Sequence, residues 1–292
     1  MWRQRPGYPG RAKFAGYSPH QRSSTPHRVL NYPITQLLNC AVYNPHMLAL
    51  ALTSAAAVAT AAYQSMSPSG QLYGQTFASL SHGSRQLALT YDDGPNDPHT
   101  PRLLEVLAKH NVQATFFLIG RYVQKRPGLA REIAGAGHIV GNHTFTHPLL
   151  TFKSESEIKS ELASCQAVLQ DAIGEHSNLF RPPFGGRRPA VLRIARKLGL
   201  EPVMWSVTGY DWNAPPAAVI EQQVVSRIRG GDIILLHDGG HQQMGADRSQ
   251  TVIATDHLIT RYEPEGYEFV TIPQMMAKSA TRRRPSPKVL SS

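Results

Sequence analysis

Five short clusters of polar residues carry the side chains in this sequence that could do chemistry. They are Asp92-Asp93-Gly94-Pro95, residues 143–147 with a histidine at each end, Arg181-Pro182-Pro183-Phe184-Gly185, Asp211-Trp212 and His237-Asp238. Each cluster directly follows a run of residues that is typical of a β-strand. In β/α folds the carboxyl ends of the strands form the active-site edge, so we expect the five clusters to meet there.

The spacing of His143 and His147 indicates a metal site. On a helical turn, two imidazoles four residues apart would lie on one face, and a carboxylate from another loop would complete a three-ligand site with open positions. The aspartates at 92 and 93 follow an adjacent predicted strand and could supply it. Two surface histidines would show the same spacing, so that alternative stays open. With only 2 Cys in the chain, a thiolate zinc cluster is excluded.

Five side chains suggest acid–base chemistry beside such a metal. Asp92 and Asp93 are consecutive in a turn, so one could bind the metal while the other accepts a proton from water as it attacks a carbonyl. His237 could protonate the leaving group, with Asp211 raising its pKa. Arg181 could orient a catalytic carboxylate. Each residue also has an ordinary structural interpretation, as a turn cap, a strand cap or a turn-edge residue. Signatures of serine hydrolases, P-loop NTPases and thermolysin-like proteases are missing from the sequence.

The elements that would position these clusters alternate between strand and helix patterns from residue 85 onward. We predict strands at 87–91, 113–119, 138–141, 178–181, 201–206, 232–236 and 268–271. Spacings of three and four between apolar residues predict helices near 100–110, 122–136, 154–173, 189–198, 216–229 and 249–263. This order indicates an α/β fold, a distorted (β/α) barrel of about seven parallel strands that need not be complete. An open, doubly wound sheet is the structural alternative.

The net charge of +10 comes from the two ends of the chain. Residues 1–28 contain six basic residues and residues 278–292 contain five, with no acidic residue in either segment. Residues 85–277 carry 19 basic and 20 acidic residues. We therefore expect no nucleic-acid partner for the folded domain.

A membrane segment is predicted ahead of this domain. Residues 47–63 are apolar and Ala-rich, and no Asp, Glu, Lys or Arg occurs between Arg28 and Arg85. The basic flank before this segment predicts a cytoplasmic amino terminus and an exported remainder, anchored in the membrane. A cleaved signal peptide, which would give a secreted or periplasmic protein, is one alternative. An Ala-rich helix packed on a soluble domain is the other.

These patterns divide the chain into five parts. We predict a basic, disordered region at 1–46, a signal-anchor or signal segment at 47–63, a linker at 64–84, a catalytic domain at 85–277 and a basic tail at 278–292.

The five clusters resemble the motifs of the NodB-type polysaccharide deacetylases, carbohydrate esterase family 4. The matching segments are T-Y-D-D-G-P (90–95), H-T-F-T-H-P (143–148), R-P-P-F-G (181–185), D-W (211–212) and L-L-H-D (235–238), which occur in the family's order. The resemblance covers about residues 85–277. It implies a distorted β/α barrel in which a divalent metal, usually zinc and alternatively cobalt, supports hydrolysis of N-acetyl groups. The implied substrates are GlcNAc-containing glycans such as peptidoglycan, chitin oligomers or exopolysaccharide.

The resemblance also implies a role for each matching residue. By motif position the general base would be Asp92, the residue that steers it Arg181, the general acid His237 and the residue that tunes this acid Asp211. The implied metal ligands are Asp93, His143 and His147.

Three more positions match the family's substrate site. The backbone N–H of Phe184 would contact the oxyanion alongside the metal, and Trp212 and Leu235 match positions that form the substrate groove and the acetyl-methyl pocket. Two departures concern substrate preference. Phe184 stands where the family often has Tyr, and Thr208 stands where many members have a further Asp.

Two other functions remain open from the sequence. The same site could deacetylate O-acetyl esters of xylan or another glycan, because an ester is an easier substrate than an amide. The domain could instead be a glycan-binding module without catalysis, although such a module has no need for both proton-transfer groups. The sequence leaves the polymer and the oligomeric state undecided.

Overall fold

The computed structural model describes residues 45–283, with side chains for residues 45–279. Most of the predicted amino-terminal region, 1–44, and the end of the predicted basic tail, 284–292, lie outside the described residues. Two units are distinguished, with a boundary between Ser54 and Ala55, and the described residues of the second contain the barrel and the candidate site.

Eight parallel strands form one curled sheet. Their bounds are β1 Gln86–Gly94, β2 Thr115–Leu118, β3 Ile139–Asn142, β4 Leu179–Phe180, β5 Glu201–Pro202, β6 Val207–Thr208, β7 Ile233–His237 and β8 Glu268–Phe269. The strand order is β5-β4-β3-β2-β1-β7-β6, and β8 pairs with the start of β1. All nine residues of β1 are buried, as expected for a central strand in a parallel sheet covered on both faces.

The sheet curls because its two edge strands are consecutive in the chain. β5 and β6 lie at opposite ends of the strand order, yet only residues 203–206 connect them. Such a connection spans at most about 17 Å. The predicted distorted, incomplete barrel is therefore confirmed, and the open doubly wound sheet is wrong. The single strand predicted at 201–206 is also wrong, because β5 ends at Pro202 and residues 203–206 connect it to β6 on the opposite edge.

Nine helices lie in the described part of the chain. Their bounds are α1 Pro45–Met66, α2 His99–Lys109, α3 Gly120–Lys125, α4 Pro127–Gly135, α5 Glu155–Ile173, α6 Pro189–Lys197, α7 Ala217–Val225, α8 Ser249–Tyr262 and α9 Ile272–Arg283. The helix predicted at 122–136 is broken at Arg126, because Pro127 cannot continue it and instead begins α4. α5 begins with a reciprocal cap between Ser154 and Glu157 and ends at Gly174 in the left-handed region. α9 was not predicted.

Side chains along β1 alternate between the face that packs on the helices and the face that points into the barrel. Leu87, Leu89 and Tyr91 belong to the large core shared with α2 and α8. The intervening Thr90 and Asp92 side chains point the opposite way, where both contact Arg181. The period of two thus places a carboxylate inside the barrel at the carboxyl end of its central strand.

The segment between α1 and β1 runs along the barrel. Phe77 forms a parallel bridge with Val203, and Ser79 forms an antiparallel bridge with Asp232. α1 itself, with 22 residues, is the one helix in the described chain that is long and apolar enough to cross a membrane.

Candidate active site

The carboxyl ends of five strands bring the predicted clusters together. Asp92 lies in register with His237 across the β1–β7 pair, and its other neighbour in β2 is Phe117. The segments that follow β3, β4 and β6 carry the remaining clusters to the same edge. Together they surround a cavity of about 630 Å³ lined by Asp92, Asp93, His143, His147, Phe184, Trp212, Leu235 and His237 among others. Arg181 and Asp211 lie fully buried directly behind this lining.

Asp93, His143 and His147 form a buried three-residue set. The Asp93 Oδ1 atom lies 3.1 Å from His147 Nε2 and 3.5 Å from His143 Nε2. One potential ligand atom from each residue lies within 4.8 Å of the others. The three side chains could therefore hold one metal ion.

Several features of this set fit a metal ion. Asp93 Oδ1 is buried without a hydrogen-bond partner among the described residues. The Arg181 backbone carbonyl lies 2.8 Å from His143 Nδ1, so a proton on Nδ1 would leave Nε2 free to bind. Burial opposes ionisation of Asp93, but His143 and His147 outweigh it and hold the pKa of Asp93 well below its usual value. Burial lowers the pKa of His147, which favours the neutral imidazole that binds metals.

The two histidines converge through a loop, so the helical turn expected from their spacing is wrong. Thr144 and His147 have positive φ, at 66° and 64°, which no right-handed helix contains. The Glu161 carboxylate accepts hydrogen bonds from the backbone N–H groups of Phe145 and Thr146, at 2.9 and 2.8 Å. These hydrogen bonds fix the loop in an irregular backbone conformation that brings the two imidazoles together.

Asp92 is held apart from this set by a buried arginine. Its Oδ1 accepts a hydrogen bond from Arg181 Nη1 at 2.8 Å, while Oδ2 lies 3.7 Å from His143 Nε2. Arg181 is fully buried and also donates to the carbonyls of Val203 and Met204. Burial lowers the pKa of Arg181, and Asp92 opposes that effect. One Asp92 oxygen is thus fixed, and the other faces the three-residue set.

His237 and Asp211 form a second charged pair on the other side of the cavity. His237 Nδ1 lies 2.8 Å from Asp211 Oδ1, and the other Asp211 oxygen accepts hydrogen bonds from the His237 backbone N–H and the Thr251 hydroxyl. Burial alone would lower the pKa of His237, but Asp211 outweighs it and raises this pKa to about 9. Burial opposes ionisation of Asp211, and the contacts with His237 keep its pKa below the usual value. His237 is therefore protonated at neutral pH.

The backbone at this edge is unusually strained. Of the seven non-glycine residues with positive φ in the described chain, six lie at the end of β1 or in the segments after β3, β4 and β6 that form the site, and they are Asp93, Thr144, His147, Phe184, Tyr210 and Ala214. Each such residue costs free energy that the surrounding structure must offset, and such strain is concentrated at functional sites.

Several cavity residues were missed from the sequence. Trp205 lay inside a predicted strand, and His241, Gln242 and Gln243 belong to the loop after β7. The ring of His241 stacks on that of His147 with centroids 4.9 Å apart. Glu161 was missed because it lies on a distant helix. Only His241 had a usable signal, as a histidine four residues after His237.

Comparisons with known proteins agree with this geometry. The sequence model of the family described as polysaccharide deacetylase matches residues 80–203. A peptidoglycan-N-acetylglucosamine deacetylase of Bacillus cereus is 35% identical over 204 residues, which cover 69% of this chain and 72% of the relative. A chitooligosaccharide deacetylase of a Bradyrhizobium species is 40% identical over 200 residues, covering 66% of this chain and 91% of the relative. The crystal structure of BA3943 from Bacillus anthracis, described as a CE4 family pseudoenzyme, matches with a TM-score of 0.64 and 32% identity over 69% of each chain.

Proposed function

Because this chain belongs to the polysaccharide deacetylase family, carbohydrate esterase family 4, and is a hydrolase of that class, we propose that it removes N-acetyl groups from GlcNAc-containing glycans in a metal-dependent reaction. The substrate class is supported by the names of two relatives, which act on peptidoglycan N-acetylglucosamine and on chitooligosaccharides. Peptidoglycan, chitin oligomers and exopolysaccharide all present this sugar.

One observation carries the proposal: the cavity has a proton acceptor and a proton donor on either side of the candidate metal set. Asp92, held at 2.8 Å by Arg181, takes the proton from the attacking water as general base. His237, kept protonated by Asp211, gives a proton to the amine that leaves. Hydrolysis of an amide requires both transfers, because an amine leaves poorly unless it is protonated.

Asp93, His143 and His147 would hold the metal, for which we propose Zn²⁺, with Co²⁺ as the substitute. When bound, the ion would supply Lewis acidity that polarises a carbonyl and lowers the pKa of water. Burial favours this ligand set, because all three side chains are at most 5% exposed.

The remaining cavity residues would orient the glycan. We assign the backbone N–H of Phe184 to the developing oxyanion. Trp212, which is 46% exposed at the cavity mouth, offers a ring face to a sugar, and Leu235 offers an apolar wall to the acetyl methyl group. Phe184 lacks the hydroxyl that the family often has at this position. Thr208 occupies the position where many family members have a further Asp. Its hydroxyl accepts a hydrogen bond from the Tyr210 backbone N–H at 3.4 Å.

Two alternatives compete with this proposal. An O-acetyl esterase acting on xylan or another glycan would use the same groups, but it would depend less on protonation by His237. The second alternative is a glycan-binding module without catalysis, and BA3943, described as a CE4 family pseudoenzyme, is a precedent for the lack of catalysis alone. Against this second alternative, the base, the donor and the candidate ligands are all present in this chain.

We further propose that α1 anchors the protein in a membrane with a cytoplasmic amino terminus, leaving residues 85–277 outside as the catalytic domain. Its 22 residues and the charge-free stretch between Arg28 and Arg85 support this arrangement. Cleavage after export would instead give a secreted or periplasmic protein. A reporter that works only outside the cytoplasm should be active when it is fused after residue 292. Activity of a reporter that works only inside the cytoplasm, fused at the same place, would contradict the topology.

The test of the function is acetate release by the full-length protein from a panel of polymers, with and without Zn²⁺. We expect release from at least one N-acetylglucosamine polymer and strong dependence on the metal. Acetate release from O-acetylated xylan alone would favour the esterase. Glycan binding with no release from any polymer would favour the binding module.

A further inference from the structure

Residues 67–77, named here the strap, connect α1 to the barrel and bond to the last turn of that helix. The Tyr63 hydroxyl lies 2.8 Å from Ser69 Oγ, and the Leu72 backbone N–H donates to Gln64 Oε1 at 3.0 Å. Although the sequence predicts a linker here, these contacts fold the chain back on the helix end.

Arg187 fastens the strap to the active-site loop that contains Phe184. The Arg187 side chain is fully buried, and Nη2 donates to the carbonyls of Ser67 and Gly70, both at 2.6 Å. Nη1 donates to the Gly185 carbonyl at 3.0 Å. Burial lowers the pKa of Arg187. Burying a guanidinium is costly, and here its hydrogen bonds join two segments that are more than 100 residues apart in sequence.

The end of α1 lies against the wall of the cavity. The Arg187 backbone N–H donates to the Ser65 carbonyl at 2.9 Å, within the last turn of the helix. A Cβ atom placed on Gly185, which lines the cavity, would lie 3.4 Å from the carbonyl oxygen of Met66. The helix that could cross a membrane therefore ends beside the site and has no free tether.

Exposed apolar side chains surround the same edge of the barrel. Phe152, in the turn after β3, is 85% exposed, and Leu72 in the strap is 71% exposed. Tyr210, at 43%, lies in the loop after β6 and is not part of the cavity lining described above. α1 buries none of its residues in the protein. Exposed aromatic rings in the loops at one edge of the domain, together with an apolar, charge-free helix whose end contacts the Gly185 loop, are typical of a membrane interface.

From these contacts we infer that the active-site edge lies on the outer surface of the bilayer that α1 crosses, so that the enzyme acts on glycan at the membrane face. The inference rests on the membrane location proposed above. A free linker of about 20 residues would let the domain move about 25 Å from the helix end. The Arg187 contacts remove that freedom and fix which edge faces the lipid.

The test places one fluorophore at either end of α5 in the full-length protein. Ser156 and Glu175 are both exposed, and they lie at the active-site edge and at the opposite edge, about 28 Å apart along the helix. Each is changed singly to Cys in a Cys40→Ser background. Cys165 does not interfere, because it is buried and its pKa is raised. The protein is reconstituted in phosphatidylcholine vesicles that contain a nitroxide-labelled lipid as quencher.

We expect the label of Ser156→Cys to be quenched at least about threefold more than that of Glu175→Cys, given their separation. Inserting about eight Gly and Ser residues between Met66 and Ser67 should abolish the difference, because it frees the domain without removing Arg187's carbonyl partners in the strap. The same insertion after Glu265, in an exposed turn at the opposite edge, should preserve it. Equal quenching of the two labels with the native strap would overturn the inference, as would a difference that survives the strap insertion.

Acetate release from soluble chitin oligomers is measured on the same vesicles. If the protein releases no acetate but its two labels are quenched unequally, the proposed function is refuted and the inferred position of the active-site edge at the bilayer stands. If the protein releases acetate but its two labels are quenched equally, the inferred position is refuted and the proposed function stands.

Discussion

The two sides of the cavity achieve their geometry in different ways. On the candidate ligand side, Asp93 lies at the irregular end of β1 and both histidines lie in the segment after β3, and Asp93 and His147 have positive φ. On the donor side, His237 is the last residue of a regular strand, in register with Asp92, and its ring is bonded to Asp211. The histidine of the donor side therefore needs no irregular backbone of its own, and the positive φ values on that side belong to Tyr210 and Ala214, which flank Asp211.

The largest expected effect comes from removing the ligand side. His143→Ala/His147→Ala should lose the bound metal and lower activity by about 10³-fold or more, because Lewis acidity contributes several kcal/mol to such reactions. Chelation of the wild-type protein should do the same, with recovery on adding Zn²⁺ or Co²⁺. Elemental analysis measures the metal. His176→Ala/His257→Ala, which removes two exposed histidines, is the matched control. Full metal occupancy in the first variant would refute the ligand assignment.

The next effect separates Asp92 from the ligand side. Asp92→Asn should keep the metal while lowering kcat by roughly 10²–10⁴, the usual contribution of a positioned general base. Asp171→Asn, a change at an exposed position on α5, should leave both unaltered. Loss of the metal together with activity would instead place Asp92 among the ligands.

A change on the donor side should distinguish substrates. His237→Gln should lower amide hydrolysis by roughly 10²–10³, while hydrolysis of an activated aryl acetate should fall much less, because a phenolate leaves without protonation. Rates for an N-acetyl oligomer and the aryl ester are measured on one preparation, with His257→Gln as control. If both substrates lose the same factor, His237 is not the general acid.

The smallest effect is a shift in the pH profile. A general acid works when protonated, so activity should hold below the His237 pKa of about 9 and fall as pH rises through it. Asp211→Asn removes the largest effect that opposes burial, although Asp93 and Asp92 still oppose it, and so lowers this pKa, which should move the basic limb to lower pH by about one unit or more. Thr251→Val removes only a hydroxyl bonded to Asp211 and should shift the limb less. An unmoved limb in Asp211→Asn would show that the pair does not set it.

Most of the fold followed from local patterns, and the errors came from non-local pairing. Apolar runs predicted β1, β2, β3 and β7 to within a few residues, because each is a continuous buried stretch. The run at 201–206 looked like one strand, since only the pairing of Glu201 with Leu179 and of Val207 with Ile234 shows that the chain crosses from one sheet edge to the other between them.

The sequence predicted which residue types meet at the site, but it predicted less of the geometry in which they are held. Strand ends predicted that the carboxylates and histidines would meet, because all parallel strands end at one edge. The loop between His143 and His147 could not be predicted from spacing, since Glu161, on a separate helix, fixes its backbone. The same applies to His241, which reaches the cavity through a loop anchored by Arg121 at the His241 carbonyl.

The opening between β5 and β6 bears on how copies of this protein meet one another. Unpaired strand edges can template sheet growth between molecules. Here the two edge strands are only two residues long, Phe77 pairs beside one of them, and Arg181 occupies the carbonyls of Val203 and Met204. The guanidinium that holds Asp92 therefore also occupies carbonyl groups in the opening between β5 and β6. The barrel can remain open without a long strand edge that another molecule could pair with.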